Sequence, residues 1–304
     1  MVINMAVRNT EIKRHRKKKK KKFSSDTVYI IMIIVFLLVA LVCAVMLMLR
    51  EYNRWKADRL YDKLAENTTA EYTQTAQDVD ETETQSQPEW QFADSARKIY
   101  ERYGIDIPKK KIDFDELHTT VSEDIYAWIY IPNTNIDYPV LQSASDNSYY
   151  LEHNLDGSEG YPGCIYTENY NSKDFTDRQT VIYGHNMRDG RMFSDLHSYE
   201  SQEFFDANRY VYIYTQDNEV LLYKIFAAYQ TGNSHQLFSF SYSGDEDVLR
   251  YLNNVMTAAY ENQTIDRSME FDGSENILTL STCVMAERQF HLRYLVQAIE
   301  LTTD

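Results

Sequence analysis

The run NILTLSTCVMAERQFHLRYLVQAIEL, from Asn276 to Leu301, contains two apolar segments that each have the length and composition of a β-strand. The first segment ends at Cys283, and the second contains Arg293, ten positions further along the chain. A cysteine at the end of a strand can fill the core, form half of a disulfide, bind a metal ion or act as a nucleophile. The rest of the chain has to distinguish between these roles.

The last of these segments has two distinguishable faces, because side chains alternate along a strand. The face predicted to pack in the core consists of Leu292, Tyr294, Val296 and Ala298. The opposite face carries His291, Arg293, Leu295 and Gln297. A charged group next to the strand that ends in Cys283 can sit in a groove at a nucleophile, although spacing alone favours an ordinary solvated charge.

Further strand-like runs extend outward from this stretch and predict a mainly β domain. Eight short runs are rich in Tyr, Ile and Val and are bounded by Pro, Gly, Asn and Asp. They are IYAWIYIP, NIDYPVL, GCIYTEN, QTVIYGH, RYVYIYTQ, EVLLYKIFAAYQ, NILTLSTC and HLRYLVQAIEL. Two helical stretches interrupt them, MFSDLHSYESQEFFDANR and DEDVLRYLNNVMTAAYEN. Eight strands predict a barrel or a sandwich with a few flanking helices.

The N-terminal part of the chain differs sharply in charge from the remainder. Residues 1–26 hold ten Lys or Arg against Glu11 and Asp26, which gives this segment a charge of +8 in a chain of net charge −15. The following stretch, Thr27 to Leu49, carries no charged residue. At about 1.5 Å per residue it can cross the ~30 Å hydrocarbon core as one helix. The sequence therefore predicts an N-terminal transmembrane helix.

The residues on either side of this helix indicate whether it is cleaved and how it is oriented in the membrane. A cleaved signal peptide is the alternative, but this apolar stretch is long and continues directly into Arg50, Glu51 and Tyr52. A lipoprotein site at Cys43 is disfavoured, because the bulky Val42 precedes it. The basic flank predicts a cytoplasmic N-terminus and an exterior C-terminal region. Since the basic run adjoins a membrane span, nucleic-acid binding is also disfavoured.

Composition divides the chain into four predicted segments. These are a basic cytoplasmic tail at 1–26, a transmembrane anchor at 27–49, an extracellular helical stalk and flexible linker at 50–104, and a compact domain at 105–304. Within the stalk, Arg50 to Asn67 has helical spacing of apolar residues. Thr68 to Pro88 has almost nothing apolar and is predicted to be a tether. Pro88 to Gly104 has the pattern of a short helix that a glycine terminates.

The other cysteine outside the span is Cys164, in YPGCIYTEN. One disulfide between Cys164 and Cys283 is possible in an oxidising exterior. A domain of this size has enough core to fold without one, so Cys164 is predicted to be a small buried residue. The seven histidines form no HExxH pattern and the chain has no CxxC, which disfavours a metal site. No cofactor is predicted.

A nucleophilic cysteine needs a proton-transfer partner and a group that stabilises negative charge on the substrate carbonyl. His185, in VIYGHNM, follows an apolar strand at the point where a loop begins. Scaffolds often present catalytic groups at such positions. An ordinary core or surface histidine is the alternative, and His291 is a rival partner.

Taken together, these residues resemble the sortases, and most closely the class B sortases. The sortase cysteine motif TLxTC is present as TLSTC, Thr279 to Cys283, and the histidine lies in YGHNM. Arg293 follows the cysteine by ten residues, as in the class B pattern. Two further stretches are similar to class B sortases, WIYIPNTNIDYPVLQ at Trp128 to Gln142 and NMRDGRMFSDL at Asn186 to Leu196.

The resemblance extends from about residue 105 to the C-terminus and implies an eight-stranded sortase-type β-barrel. It implies a cysteine transpeptidase in which Cys283 is the nucleophile, His185 the general acid and base, and Arg293 the group that holds the substrate carbonyl or oxyanion. The substrate-binding residues implied with them are Ser281, Thr282 and Asn186. A papain-like protease is disfavoured, because that family places its cysteine before its histidine.

The partners and location also follow from the resemblance. The enzyme would act at the outer face of a Gram-positive plasma membrane on surface proteins with a C-terminal LPxTG-like or NPxTx-like sorting motif. It would transfer them to the amine of a peptidoglycan precursor or crossbridge. A pilin-polymerising sortase and a non-catalytic tethered binding domain remain the alternatives at this point.

Overall fold

Eight strands close into a barrel in the computed structural model, which describes residues 25–74, 90–284 and 291–303. The strands of the sheet are β1 (Ile125–Tyr130), β2 (Asp137–Leu141), β3 (Ile165–Thr167), β4 (Gln179–Tyr183), β5 (Tyr210–Thr215), β6 (Val220–Gly232), β7 (Glu261–Ile265), β8 (Ile277–Cys283) and β9 (Leu292–Glu300). The ring follows the order β5-β1-β2-β3-β4-β8-β9-β6, and β5 pairs with β6 to close it. β7 adds to β6 outside the ring. The predicted eight-stranded, mainly β barrel is confirmed.

The helices lie between the strands and before them. They are α1 (Ser25–Gln74), α2 (Ala93–Tyr103), α3 (Phe114–Thr120), α4 (Tyr149–Glu152), α5 (Gln202–Ala207), α6 (Gln236–Ser239) and α7 (Asp245–Thr257), with a 3₁₀ helix at Ser194–Glu200. Both predicted helical interruptions are present, the first as the 3₁₀ helix with α5 and the second as α7. Gly104 ends α2 with φ of 68°, a left-handed conformation that favours glycine.

Two strand pairings bring distant parts of the sequence together at one end of the barrel. β4 and β8 run parallel, with Tyr183 beside Ser281. β8 and β9 run antiparallel, with Cys283 directly opposite Arg293. The ladder of β4 and β8 ends with Tyr183 beside Ser281, and the Gly184 amide donates to the Ser281 carbonyl, so the loop that begins at Gly184 starts near Cys283.

The barrel has a core inside and a second core under α7. The interior core includes the predicted inward face of β9, since Tyr294, Val296 and Ala298 are all buried there. The second core contains Leu295 and Ile299 from the other face of β9. The α7 residues that cover this face are Val248, Tyr251, Leu252 and Val255. Arg293, at the end of β9 near Cys283, is half-buried.

The chain divides into two compact units, residues 1–49 and residues 50–304. In the first unit, the described part of α1 is apolar from Val28 to Leu49. Among the described residues, α1 is the helix that is long and apolar enough to cross a membrane. This finding is compatible with the predicted span, whose topology stays a prediction.

In the second unit, residues 50–68 of α1 pack on the barrel. Ala57, Tyr61 and Thr68 recur at helical spacing and are buried. The Tyr61 hydroxyl donates a hydrogen bond of 2.8 Å to the carbonyl of Gly163. The Tyr61 ring meets the ring of Tyr138 edge to face, with centroids 5.5 Å apart.

Charged pairs surround this apolar contact. Arg191 places Nη1 2.9 Å from Oδ1 of Asp62 and Nη2 3.1 Å from Oδ2 of the same side chain. Arg54 Nη2 lies 2.5 Å from Oδ2 of Asp189. Asp189 and Arg191 belong to the loop that follows His185. These ion pairs therefore hold the loop against residues 50–68 of α1.

Some predicted segments have a different outcome in the structure. Residues before 105, the predicted first residue of the compact domain, also contribute to the core, among them Phe92 and Ile99. α1 continues to Gln74, and the remainder of the predicted tether lies outside the described residues. Strand β7 and the short helices α3, α4 and α6 were not predicted from the sequence.

Candidate active site

Cys283 is the last residue of β8 and is half-buried. Directly opposite residues of antiparallel strands project to the same face, so the Cys283 and Arg293 side chains share one side of the sheet. The Cys283 carbonyl accepts a 2.9 Å hydrogen bond from Asn186 Nδ2. The nucleophile candidate therefore lies at a strand end whose backbone is fixed from two sides.

His185 follows β4 and is held beside the end of β8 by its sequence neighbours. The Gly184 amide donates to the Ser281 carbonyl at 3.1 Å, and Asn186 bonds to Cys283. Gly184 is required there, because an added Cβ would lie 2.5 Å from Ile165 Cδ1 and 2.7 Å from Phe193 Cδ2. No larger residue fits between β4 and His185 without displacing these core side chains.

The His185 ring is oriented by a backbone carbonyl. Its Nε2 lies 2.7 Å from the Leu151 oxygen. A carbonyl only accepts, so Nε2 carries the proton and Nδ1 is the nitrogen that titrates. Burial lowers the pKa of His185 below its usual value, although the Leu151 carbonyl acts in the opposite direction. The ring is therefore mainly neutral at pH 7 and suited to accept a proton.

The segment before β3 forms the surface on which His185 rests. The rings of Tyr161 and His185 have centroids 5.0 Å apart. At Gly163, with φ of 67°, an added Cβ would come within 3.3 Å of His185 Cδ2 and 2.9 Å of the Leu151 carbonyl oxygen. Gly163 thus allows the histidine and its carbonyl partner to approach the backbone closely.

Arg293 lies near two phenols on the Cys283 side of the barrel, the buried Tyr166 and the half-buried Tyr183. Burial raises the pKa of Tyr166 and of Tyr183, and the positive charge of Arg293 acts in the opposite direction on both. Tyr183 donates a hydrogen bond of 3.2 Å to Glu168 Oε2. A guanidinium in these half-buried surroundings can donate to a carbonyl oxygen or oxyanion more effectively than one in bulk water.

The three residues predicted to bind substrate lie at or beside the end of β8. Ser281 lies on the Cys283 face of β8 and is 5% exposed. Thr282 is 2% exposed, and its hydroxyl donates to the Gly184 carbonyl at 2.8 Å. Asn186 binds the Cys283 carbonyl as described above. Substrate contact by these three residues stays a prediction.

Sequence reasoning missed a second histidine near Cys283. His197, in the 3₁₀ helix, places Nε2 3.2 Å from the Cys283 carbonyl oxygen. Its Nδ1 lies 2.7 Å from Glu200 Oε1. The sequence placed His197 only within the helical run that follows His185. Its contact with Cys283 could not be predicted, because a contact to a backbone carbonyl leaves no pattern in the sequence.

The remaining candidates lie elsewhere. Cys164 is fully buried and its thiol is not in a disulfide, which confirms the predicted small core residue. His291, the rival histidine, is exposed in the turn before β9. Across the part of the chain that the structure describes, no three His, Cys, Asp or Glu side chains form a group that could hold a metal ion.

Comparison with known proteins identifies the family. A family model described as the sortase domain matches residues 129–300. Sortase B of Listeria monocytogenes is 34% identical over 163 residues, which cover 54% of this chain. The match spans 64% of the Listeria protein, slightly less than two thirds of its length.

Solved structures give the same result. Sortase B of Clostridium perfringens superposes with a TM-score of 0.55 at 30% identity, covering 62% of this chain and 100% of that one. A Streptococcus pyogenes class B sortase involved in pilus biogenesis has a TM-score of 0.52 at 25% identity, covering 62% of this chain and 98% of that one. Because the family model covers more than half of the chain, this chain belongs to the sortase family, and its relatives place it with the class B sortases.

Proposed function

We propose that this chain is a cysteine transpeptidase whose catalytic residues are Cys283, His185 and Arg293. Membership in the sortase family supports this class of enzyme. The observation that carries the assignment is the strand register, which sets Cys283 opposite Arg293 and begins the His185 loop beside the same strand end. The alternative histidine, His291, is exposed in the turn before β9.

The first half of the reaction forms a thioester. The neutral His185 imidazole accepts the proton of the Cys283 thiol, and the sulfur attacks the carbonyl carbon of a Thr in the sorting motif. The carbonyl becomes an oxyanion, which Arg293 stabilises by a charge-assisted hydrogen bond. The C–N bond then breaks, the leaving amine takes the proton from His185, and the Thr carbonyl remains bound to sulfur.

The second half transfers the acyl group to a new amine. The amine nitrogen attacks the thioester carbonyl while His185 takes a proton from it. The carbon–sulfur bond breaks, a new amide bond forms, and the sulfur is protonated again. No redox partner is required, since one amide bond is exchanged for another.

The proposed partners follow the sortase assignment. The donors are surface proteins with a C-terminal LPxTG-like or NPxTx-like motif, and the acceptor is an amine of a peptidoglycan precursor or crossbridge. The proposed location is the plasma membrane, crossed once by α1 with the N-terminus in the cytoplasm and the barrel outside. The charge of residues 1–26 and the apolar stretch of α1 support this arrangement.

A pilin lysine is the alternative acceptor. The Streptococcus pyogenes relative is involved in pilus biogenesis, which keeps this reaction open for the same catalytic residues. Both acceptors are primary amines, and the thioester half of the reaction is the same for both.

The test uses the full chain purified in detergent. It is incubated with LPxTG-like and NPxTx-like peptides, with and without peptidoglycan-derived amines or a pilin, and products are identified by mass. We expect cleavage after Thr, a thioester adduct on the Cys283 peptide and transfer to one class of amine. Cys43→Ala serves as a matched control that should keep full activity, whereas Cys283→Ala should lose it. Undiminished cleavage by folded Cys283→Ala would refute the transpeptidase assignment and favour a binding domain.

A further inference from the structure

Residues 50–62 of α1, which we call the α1 brace, contact the barrel at three places that adjoin His185. These places are the ring of Tyr161, the backbone of Gly163 and the loop that follows the histidine. The side chains that make the contacts recur at helical spacing and are Arg50, Arg54, Asp58, Tyr61 and Asp62. One side of a single helix therefore reaches the surroundings of the histidine at several points.

The first two contacts reach the surface on which the His185 ring rests. The Arg50 guanidinium lies over the Tyr161 ring, 5.9 Å from its centroid, within the range of a cation–π interaction. The Tyr161 ring in turn lies 5.0 Å from the His185 ring. The Tyr61 hydroxyl donates to the carbonyl of Gly163, the residue whose missing side chain leaves room for the histidine. The α1 brace thus contacts both groups that support the imidazole.

The third contact holds the loop that follows the histidine. Arg191 donates to both carboxylate oxygens of Asp62, at 2.9 and 3.1 Å, and its Nε lies 3.7 Å from Oδ1 of Asp58. Arg54 Nη2 lies 2.5 Å from Oδ2 of Asp189. A bidentate pair between arginine and a carboxylate fixes the orientation of the two groups as well as their distance. The middle of the loop is therefore held in a defined place on the helix.

The loop carries these contacts back to His185 through its own hydrogen bonds. The Phe193 amide donates to the His185 carbonyl at 2.9 Å and closes the loop. The Met192 amide donates to the Tyr138 hydroxyl at 3.1 Å, and the Tyr138 ring packs edge to face on Tyr61 of the α1 brace. A displaced α1 brace would therefore leave the backbone of His185 less restrained.

These ion pairs are suited to control position more than stability. The Asp62 side chain is 63% exposed and that of Arg191 is 26% exposed. Exposed pairs contribute little to the free energy of unfolding. The rate of a reaction is more sensitive, since a displacement of about 1 Å in a reacting group can lower it by about 10²-fold. Loss of the pairs should therefore affect turnover more than folding.

We propose that the α1 brace is a positioning element for His185, which holds the histidine loop and the surface under the imidazole in the arrangement that proton transfer requires. The proposal rests on the proposed function in taking His185 as the general acid and base. The contacts of the α1 brace are with the loop, the Gly163 backbone and the Tyr161 ring, so it acts through them and not on the substrate. The segment that follows the predicted membrane span is thus part of the framework of the site and not only a spacer.

The test removes the two carboxylates that face Arg191. The double variant Asp58→Asn with Asp62→Asn loses both charges and keeps the size of both side chains. Hydrogen exchange of the full chain in detergent is read by mass on peptides that span residues 184–193, and cleavage of sorting peptides is measured on the same samples. We expect exchange of this loop to be about tenfold faster, because it opens locally. We expect kcat to be about tenfold lower and KM to change by less than about twofold.

A matched control removes the same charge elsewhere. Glu66→Gln with Glu101→Gln changes two exposed carboxylates, one on α1 beyond the α1 brace and one on α2. This control should change neither loop exchange nor kcat. Peptides from β8 report on general stability, and their exchange should be the same in the wild-type chain and in both double variants.

The outcomes separate this proposal from the proposed function. Exchange needs no sorting peptide, so a wild-type chain that cleaves none would overturn the transpeptidase, while loop exchange still decides whether the α1 brace orders the histidine loop. Unchanged loop exchange in the folded Asp58→Asn, Asp62→Asn chain would overturn the positioning role. Faster loop exchange with an unchanged kcat, or with equally faster exchange in β8, would also overturn it. If this double variant does not fold, Arg54→Gln, which removes the pair with Asp189, decides by the same measurements.

Discussion

Two cysteines lie at strand ends of the same barrel, and their surroundings differ in almost every respect. Cys164 precedes β3, is fully buried and donates its thiol to the His153 carbonyl at 3.3 Å. Burial raises its pKa to about 12. Cys283 ends β8, is half-buried and lies opposite a guanidinium on the next strand. The same residue type is thus a core side chain in one place and a nucleophile candidate in the other.

The two regions nevertheless depend on each other. The backbone just before Cys164 includes Tyr161 and Gly163, on which the His185 ring rests. The segment before Cys164 therefore supplies the surface that orients the histidine, and the half-buried end of β8 supplies the thiol. We therefore expect thiol reactivity here to depend on access and neighbouring charge, and the segment around Cys164 to contribute by holding the His185 ring.

The largest expected effect comes from exchanging each cysteine for alanine. Cys283→Ala should abolish peptide cleavage and leave the free energy of unfolding nearly unchanged, because the residue is half-buried at a strand end. Cys164→Ala should retain kcat per folded molecule and lose about 1 kcal/mol of stability, as expected for a small cavity. Urea unfolding and peptide cleavage of both variants check this. A reversed pattern would mean that the two roles are assigned to the wrong cysteines.

A second prediction concerns labelling of the unmodified chain. With a pKa of about 12 for Cys164, only about one thiol in 10⁴ is ionised at pH 8, and its sulfur is also buried. Iodoacetamide should therefore label Cys283 at least about 10³-fold faster than Cys164 in the folded protein. In strong denaturant the two rates should become similar. Comparable rates in the native protein would show that the start of β3 opens readily.

The third prediction tests the charge opposite Cys283. Arg293→Ala should lower kcat/KM by about 10² to 10³, the usual cost of one lost oxyanion donor. Arg250→Ala removes an exposed arginine of α7 that pairs with Asp247 and is the matched control. The control should change activity by less than twofold, since exposed pairs contribute little. Equal activity of the two variants would remove Arg293 from the mechanism.

The smallest expected effect is a shift in pH dependence. Burial lowers the pKa of His185, so the proton-accepting neutral form persists below the usual histidine range. kcat/KM should therefore stay level at neutral pH and fall only as the pH drops through this lowered pKa. Tyr161→Ala exposes the ring and should move this acidic limb upward by a fraction of a pH unit, whereas Tyr161→Phe should not. A limb that stays in place in Tyr161→Ala would show that Tyr161 does not contribute to the burial.

Much of the fold could be read from the sequence because its strands are apolar and well separated. All eight runs became barrel strands. β7 was missed, since Glu261 to Ile265 has one apolar residue and three exposed ones and so lacks the alternation of a buried strand. The packing of residues 50–68 was missed for a different reason. Tyr61 fits a helical stripe, but its partner, the Gly163 carbonyl, belongs to a turn far along the chain.

Residues of the candidate site could be proposed from the sequence to the extent that they carry side-chain chemistry, and their catalytic roles stay predictions. Cys283, His185 and Arg293 could be singled out by motif and order, and the register of β8 and β9 sets two of them opposite each other. The contacts that hold the backbone of Cys283 in place could not be predicted from the sequence. His197 and Asn186 both act on a backbone carbonyl, and a carbonyl is present at every position of a sequence.

The pairing of β4 with β8 also has a consequence for how the protein matures. The contact between Gly184 and Thr282 joins positions 98 residues apart, and Arg293 arrives only with the final strand. Long-range pairings of this kind form late, because the intervening loop must close before its contacts stabilise it. A growing chain therefore carries Cys283 without its partner Arg293 until β9 has been made. The three proposed catalytic residues come together only when the barrel closes, so we expect an incompletely folded chain not to form the thioester with sorting peptides.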